Sequence, residues 1–174
     1  EMSKMPVRGM VATHADERVV ADSASSGTAL ATGRRSNVGV VGMAATASGL
    51  EPAETVLERA ESTGKRTGLI TNTTLTHATP ASFYAHHPKR KDEQRIAEFL
   101  VDLPERIEGS DGVDFVAAGG GNYFGPSHRE KLAAYDISVE DGWSDSVDPA
   151  TRSYRFLRPG PLATARARRT DGDP

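Results

Sequence analysis

Apolar residues recur at helical spacing in two stretches of the chain. From Asp92 to Leu103, the residues Ile96, Phe99, Leu100 and Leu103 fall on one face with polar residues between them, predicting an amphipathic helix. A second helix is predicted to open at Pro52, with Val56, Leu57 and Ala60 on its apolar face and Gly64 at its C-terminal end. Other stretches read differently. Arg66 to Asn72, following the second helix, predicts a strand, and Val113 to Ala118 predicts a further, buried strand ending at Gly119-Gly120-Gly121. Helix followed by strand, twice, with short connections, implies αβ units on a mainly parallel sheet.

The N-terminal part is less periodic. Arg8 to Thr13 reads as a short strand or its approach, and Arg18 to Ala21 as the segment that delivers Ser23. Ser23 to Thr32 is Ala-rich and reads as a helix stopped by Gly33. Asn37 to Ala47, rich in Gly and Val, reads as a loop with a short extended piece. Beyond Gly142 the character changes. Ser144 to Pro149 is polar, Arg158-Pro-Gly-Pro161 breaks regular structure, and Arg166 to Pro174 is charged with no apolar face. Residues 1–141 therefore read as one α/β unit, and 142–174 as a polar tail expected to be disordered or aberrant. No repeat of solenoid type occurs.

The chain has 174 residues, enough for one core, and a net charge of −3 that offers no broad basic face to nucleic acid. No apolar run approaches the length of a bilayer span. There are no cysteines, which excludes disulfides and thiolate metal sites.

The most informative string is Val20-Ala-Asp-Ser-Ala-Ser-Ser-Gly-Thr-Ala-Leu-Ala-Thr-Gly33. A Ser hydroxyl at the junction of a strand and a helix faces free backbone N–H groups and the positive end of the helix dipole. Small residues let a phosphate approach the backbone closely. Taken alone, Asp22-Ser23 reads as an ordinary helix cap. The whole string resembles the nucleophile signature of the alkaline phosphatase family. A second block supports the resemblance: Thr71-Asn-Thr-Thr-Leu-Thr-His-Ala-Thr-Pro-Ala81, then Phe83-Tyr84-Ala85-His86 and Arg90.

The resemblance implies a three-layer α/β/α fold with a mainly parallel central sheet, of which this chain is part. It implies hydrolysis of small phosphate monoesters through a phosphoserine on Ser23, with Asp22 orienting Arg90 and Arg90 clamping the phosphate. Two Zn²⁺ ions and one Mg²⁺ are implied, with Ser23 meeting zinc and Thr79 meeting magnesium. His77 falls at the third metal site, where imidazole suits Zn²⁺ or a transition metal better than Mg²⁺. The family's remaining Asp, His and Glu metal ligands match no residue of this sequence, so an internal piece of a larger enzyme is expected. For that full-length protein the resemblance implies a homodimer in the periplasm or outside the cell. The alternatives are a catalytically inert αβ fragment or another hydrolase of the wider superfamily, such as a phosphodiesterase. His86 and His87, adjacent on an extended segment, are expected to point apart rather than chelate together. Gly119 to Gly121 lacks the Lys-Ser/Thr ending of a P-loop and reads as a strand-end turn.

Overall fold

A computed structural model describes residues 12–142 and 151–162 of the chain. Its centre is a four-stranded sheet in the order β3-β4-β6-β5, every pairing parallel, built from β3 (Gly68–Thr74), β4 (Phe115–Gly119), β5 (Ser138–Asp141) and β6 (Ser153–Arg158). The two inner strands are the most buried. In β4, Val116 to Gly119 are all enclosed, and in β6 Ser153 to Phe156 are. Apolar side chains on both faces of a strand require cover on both sides, which is why parallel sheets carry helices.

Helices α4 (Glu93–Val101), α5 (Leu103–Arg106) and α6 (Pro126–Ala133) form one packed group, with α4 against α5 and α6, and α6 against β5. Ile96 and Leu100 of α4 and Leu103 of α5 are fully buried, as their spacing predicts. The predicted single helix is interrupted at Asp102. Pro104 has no N–H with which to continue the ladder, so the chain restarts as a short second helix.

Three other differences from the sequence reading have identifiable causes. Pro52 does not open a helix. It ends β2 (Gly49–Pro52), which pairs antiparallel with β1 (Met43–Thr46), the short extended piece of the Gly-rich stretch. The helix α2 (Val56–Ser62) starts later, where Thr55 and Glu58 form a reciprocal capping box. That register turns Val56 outward, 58% exposed, and buries Glu58 and Glu61 beside Leu57.

Arg18 to Ala21 forms exposed bends rather than a strand, with Val19 and Val20 largely solvent-facing. The expected strand from Arg8 lies mostly outside the described residues.

The third difference concerns the tail. Residues 143–150 and 163–174 are outside the described residues, but 151–162 is ordered structure, and β6 is an inner strand of the sheet. Tyr154 and Phe156 supply its core side chains, and the Phe156 ring stacks on Phe124 with centroids 4.6 Å apart. The Gly119-Gly120-Gly121 stretch is a strand-end turn that receives the chain leaving β6. Gly120 has φ +93, its N–H donates to Arg158 O at 3.0 Å and Gly160 O at 3.1 Å, and a Cβ on Gly119 would lie 2.2 Å from Gly160 O. The glycines are therefore read by a neighbouring backbone.

Phe156→Ala tests whether β6 belongs to the core. A loss of about 3–5 kcal/mol of unfolding free energy is expected from urea titration, the range for truncating a buried aromatic; a loss under about 1 kcal/mol would place the segment outside the cooperative unit.

Candidate functional site

Helix α1 (Ser23–Thr32) starts at Asp22, whose backbone is extended at φ −97 and ψ −179, and stops at Gly33 in the left-handed region. The Asp22 carboxylate has four partners. Oδ1 accepts from Ser25 N at 2.9 Å and Ser25 Oγ at 3.0 Å, while Oδ2 accepts from Gly39 N at 3.1 Å and Arg90 Nη1 at 3.0 Å. One side chain thus caps the helix and holds the arginine. Burial pushes its pKa up, but the Ser25 N–H, Arg90, the Ser25 hydroxyl and the Gly39 N–H outweigh that and leave it lowered.

Ser23 is the first residue of α1, and its Oγ accepts a 2.7 Å hydrogen bond from the same Arg90 Nη1. The small residues of α1 matter for packing. A Cβ on Gly27 would sit 2.9 Å from Ser82 Oγ and 3.4 Å from Thr79 Cα, so glycine lets α3 (Ala78–Ala81) lie directly against α1.

Arg90 reaches the site from a segment that pairs with the loop before β1. Val41 and His87 exchange backbone hydrogen bonds at 2.9 Å each, and Arg90 N donates to Gly39 O at 2.8 Å. Lys89 and Lys91 are exposed, whereas the Arg90 side chain is 24% exposed and turned to Asp22. Its second nitrogen, Nη2, lies 3.1 Å from His77 Nε2. A guanidinium only donates, so Nε2 is the acceptor and the neutral ring carries its proton on Nδ1. That Nδ1 is buried and has no hydrogen-bond partner among the described residues.

His77 sits just past the carboxyl end of β3, at the edge where ligands of parallel sheets ordinarily bind. Its loop is tied down by Glu93 at the start of α4, which accepts from Thr74 Oγ1 at 2.8 Å and Thr76 Oγ1 at 2.5 Å. Tyr84 Oη donates to Leu75 O at 2.9 Å from the other side.

The structure brings four of the five predicted residues into one hydrogen-bonded group: Asp22, Ser23, Arg90 and His77. Thr79 is the second residue of α3, exposed, with no hydrogen bond to its hydroxyl among the described residues. His86 and His87 diverge as expected, His86 inward to Glu58 and Gly42, His87 toward Lys89 and Asp92. Sequence reading missed Gly39, whose N–H and C=O serve Asp22 and Arg90, and it missed Glu58 and Glu93. The Thr-x-x-Glu pattern from Thr55 to Glu58 was the one available signal.

Do these residues fit a metal ion? Among the described residues no three His, Asp or Glu side chains converge as ligands. The exposed lone pair of His77 is taken by Arg90, and Ser23 is its only neighbouring hydroxyl in that group. This donor set does not by itself fit Zn²⁺ or Mg²⁺, each of which needs several oxygen or nitrogen ligands. No membrane-spanning helix occurs among the described residues.

Comparison with known proteins converges on one family. The family model for alkaline phosphatase matches residues 1–145. Alkaline phosphatase 4 of Bacillus subtilis (strain 168) is 37% identical over 123 residues, covering 70% of this chain and 26% of that protein. The tissue-nonspecific alkaline phosphatase of Gallus gallus is 30% identical over 149 residues, covering 76% of this chain and 28% of its own length. Among solved structures, alkaline phosphatase from the Antarctic bacterium TAB5 superposes with a TM-score of 0.77 at 28% identity, covering 91% of this chain and 46% of that one. The Thermus thermophilus enzyme gives 0.76 at 28% identity, with 94% and 34% covered. The chain thus spans about a quarter of the length of these curated relatives.

Asp22→Asn isolates the charge, because Asn caps helices about as well as Asp. The folded-state pKa of Asp22 lies below its ordinary value, so its contribution is complete above that value and disappears as pH falls through the lowered one. At neutral pH the variant is expected to be less stable by about 1.5–3 kcal/mol, the range for hydrogen bonds to charged groups. Urea unfolding at neutral and strongly acidic pH should show the gap closing on acidification. A gap independent of pH would contradict the lowered pKa.

Proposed function

The chain belongs to the alkaline phosphatase family, and on that premise we propose that it carries the nucleophile and phosphate clamp of a phosphate monoesterase. One observation supports this most: Ser23 Oγ and the Asp22 carboxylate share the same guanidinium nitrogen of Arg90 at the N-terminus of a ten-residue helix. In this reading Arg90 swings its planar fork onto two phosphate oxygens, as arginine is suited to do. Asp22 keeps the guanidinium aimed, and the N-terminal backbone of α1 adds its dipole.

Ser23 Oγ attacks phosphorus from the side opposite the ester oxygen. The Oγ–P bond forms as the P–O ester bond breaks, and the alcohol leaves with the proton formerly on Ser23. Water then attacks the phosphoserine, releasing inorganic phosphate and restoring the hydroxyl. His77, through Nε2, steadies the far side of the guanidinium until phosphate takes its place. The family implies two Zn²⁺ and one Mg²⁺ in the whole protein, with Ser23, Thr79 and His77 as contributors. Among the described residues no three His, Asp or Glu side chains converge, so in this reading the ions would need ligands besides these three residues. The whole protein is proposed to be a homodimer acting on monoesters in the periplasm or outside the cell.

A second reading has its own support. The same lack of converging metal ligands among the described residues favours a chain that, tested alone, does not turn over. Hydrolysis of p-nitrophenyl phosphate during zinc titration separates the two. A rate in this chain no higher than in Ser23→Ala supports the inert fragment, and a Ser23-dependent rate refutes it.

In the complete protein, acid quenching with labelled phosphate is expected to trap label on Ser23. Label on another residue, or none in an active enzyme, would contradict the nucleophile assignment. Arg90→Ala is expected to weaken inhibition by inorganic phosphate by about 10- to 100-fold, as losing a charge-assisted contact implies. Unchanged inhibition would move the clamp to another cation.

A further inference from the structure

Segment 39–42 is a backbone splint between the two halves of the site. At one end Gly39 donates to Asp22 Oδ2 at 3.1 Å and accepts from Arg90 N at 2.8 Å. Val41 pairs with His87 in the middle. At the other end the splint is gripped by a side chain: His86 Nδ1 lies 2.6 Å from Gly42 O, and His86 Nε2 lies 2.7 Å from Glu58 Oε1.

A carbonyl oxygen only accepts, so Nδ1 carries a proton. A carboxylate accepts as well, so both ring nitrogens of His86 face acceptors. Burial raises the Glu58 pKa, but the hydrogen bond and charge of His86, the Thr55 N–H and Arg106 bring it below its ordinary value, which keeps the acceptor ionised.

Glu58 is 3% exposed and fully used. Besides His86 it takes Arg106 Nη2 on Oε1 and Thr55 N on Oε2, each at 3.0 Å. Arg106 in turn donates to Tyr84 O at 3.2 Å and Phe99 O at 3.0 Å, and the Phe99 ring stands edge-on to His86. The grip is tight at Gly42, where φ is +61 and a Cβ would lie 1.9 Å from Ala85 O. Enclosing the Glu58 carboxylate among polar partners is a poor way to gain stability, since well-packed apolar groups do as well. Its placement argues for geometry instead. It ties α2 and α5 to a loop that touches both Asp22 and Arg90.

We propose that Glu58 and His86 are positioning residues, holding Gly42 so that the splint keeps Arg90 in register with Asp22 and Ser23. The purpose of that register rests on reading Arg90 as the phosphate clamp. The geometry itself can be tested without any catalytic assay.

Amide hydrogen exchange on this chain, compared with Glu58→Gln, His86→Gln and His86→Asn, provides the test. In Glu58→Gln and His86→Gln the Gly39, Val41, His87 and Arg90 amides are expected to exchange about tenfold faster, as local opening would produce. Val116 to Ala118 in β4 should be unaffected. His86→Asn keeps a donor near the Nδ1 position for Gly42 O, and should recover much of the protection. Arylglyoxal modification, quantified by peptide mass spectrometry, should accelerate at Arg90 and not at the exposed Arg66. Unchanged exchange and modification would overturn the proposal. So would equal acceleration in β4, which would make Glu58 and His86 general stabilisers. If Arg90 proved not to bind phosphate while this pattern held, only the functional reading would fall.

Discussion

A single guanidinium joins parts of the chain that lie 68 residues apart in sequence, and the arrangement of the site follows from where it can sit. Arg90 needs an anionic neighbour because a partly buried cation is costly without one. Asp22 supplies the charge, but Asp22 is also the cap of α1, so placing the arginine and starting the helix are one event. The Ser23 hydroxyl, next along the chain, then lies under the same nitrogen. Everything else keeps those three in register: Gly39 from one side, the Glu93-bound loop carrying His77 from another, and Gly27 allowing α3 to close on α1.

Much of this was legible in the sequence, for reasons that differ by element. The helix from Asp92 showed because one face is buried and the other wet, so its period survives in the residues. Strand β4 showed as a compact, mostly apolar run and β3 through its place after a helix, with ends displaced by about two residues, the usual uncertainty at element boundaries. α2 misled because its inward face carries two glutamates. A buried charge whose partners come from distant segments leaves no periodic trace, and His86 is 28 residues from Glu58. β6 was missed because Ser-Tyr-Arg-Phe-Leu-Arg alternates with charge. Arg155 is nevertheless buried, reaching Glu140 of the neighbouring strand at 3.1 Å. The Ser23 and Arg90 pairing became readable only through family resemblance, since nothing local to either block specifies the other.

The family assignment and the parallel α/β sheet stand on independent footings, one from sequence similarity and one from the strand pairings. The chemistry stands on the hydrogen-bonded group around Arg90. The proposed catalytic use calls for metal ligands, and among the described residues no three His, Asp or Glu side chains converge. Local capping and backbone pairing account for how the arginine, serine and aspartate are placed relative to one another.

The central claim is that Ser23 Oγ and the Arg90 guanidinium form one seat for a phosphoryl group. A crystal structure of the complete protein with vanadate, which adopts the five-coordinate geometry of phosphoryl transfer, tests it most directly. The account predicts vanadium bonded to Ser23 Oγ with two of its oxygens on the Arg90 guanidinium. Vanadate bound away from Ser23, or held there with Arg90 still fully engaged by Asp22 and His77, would contradict it.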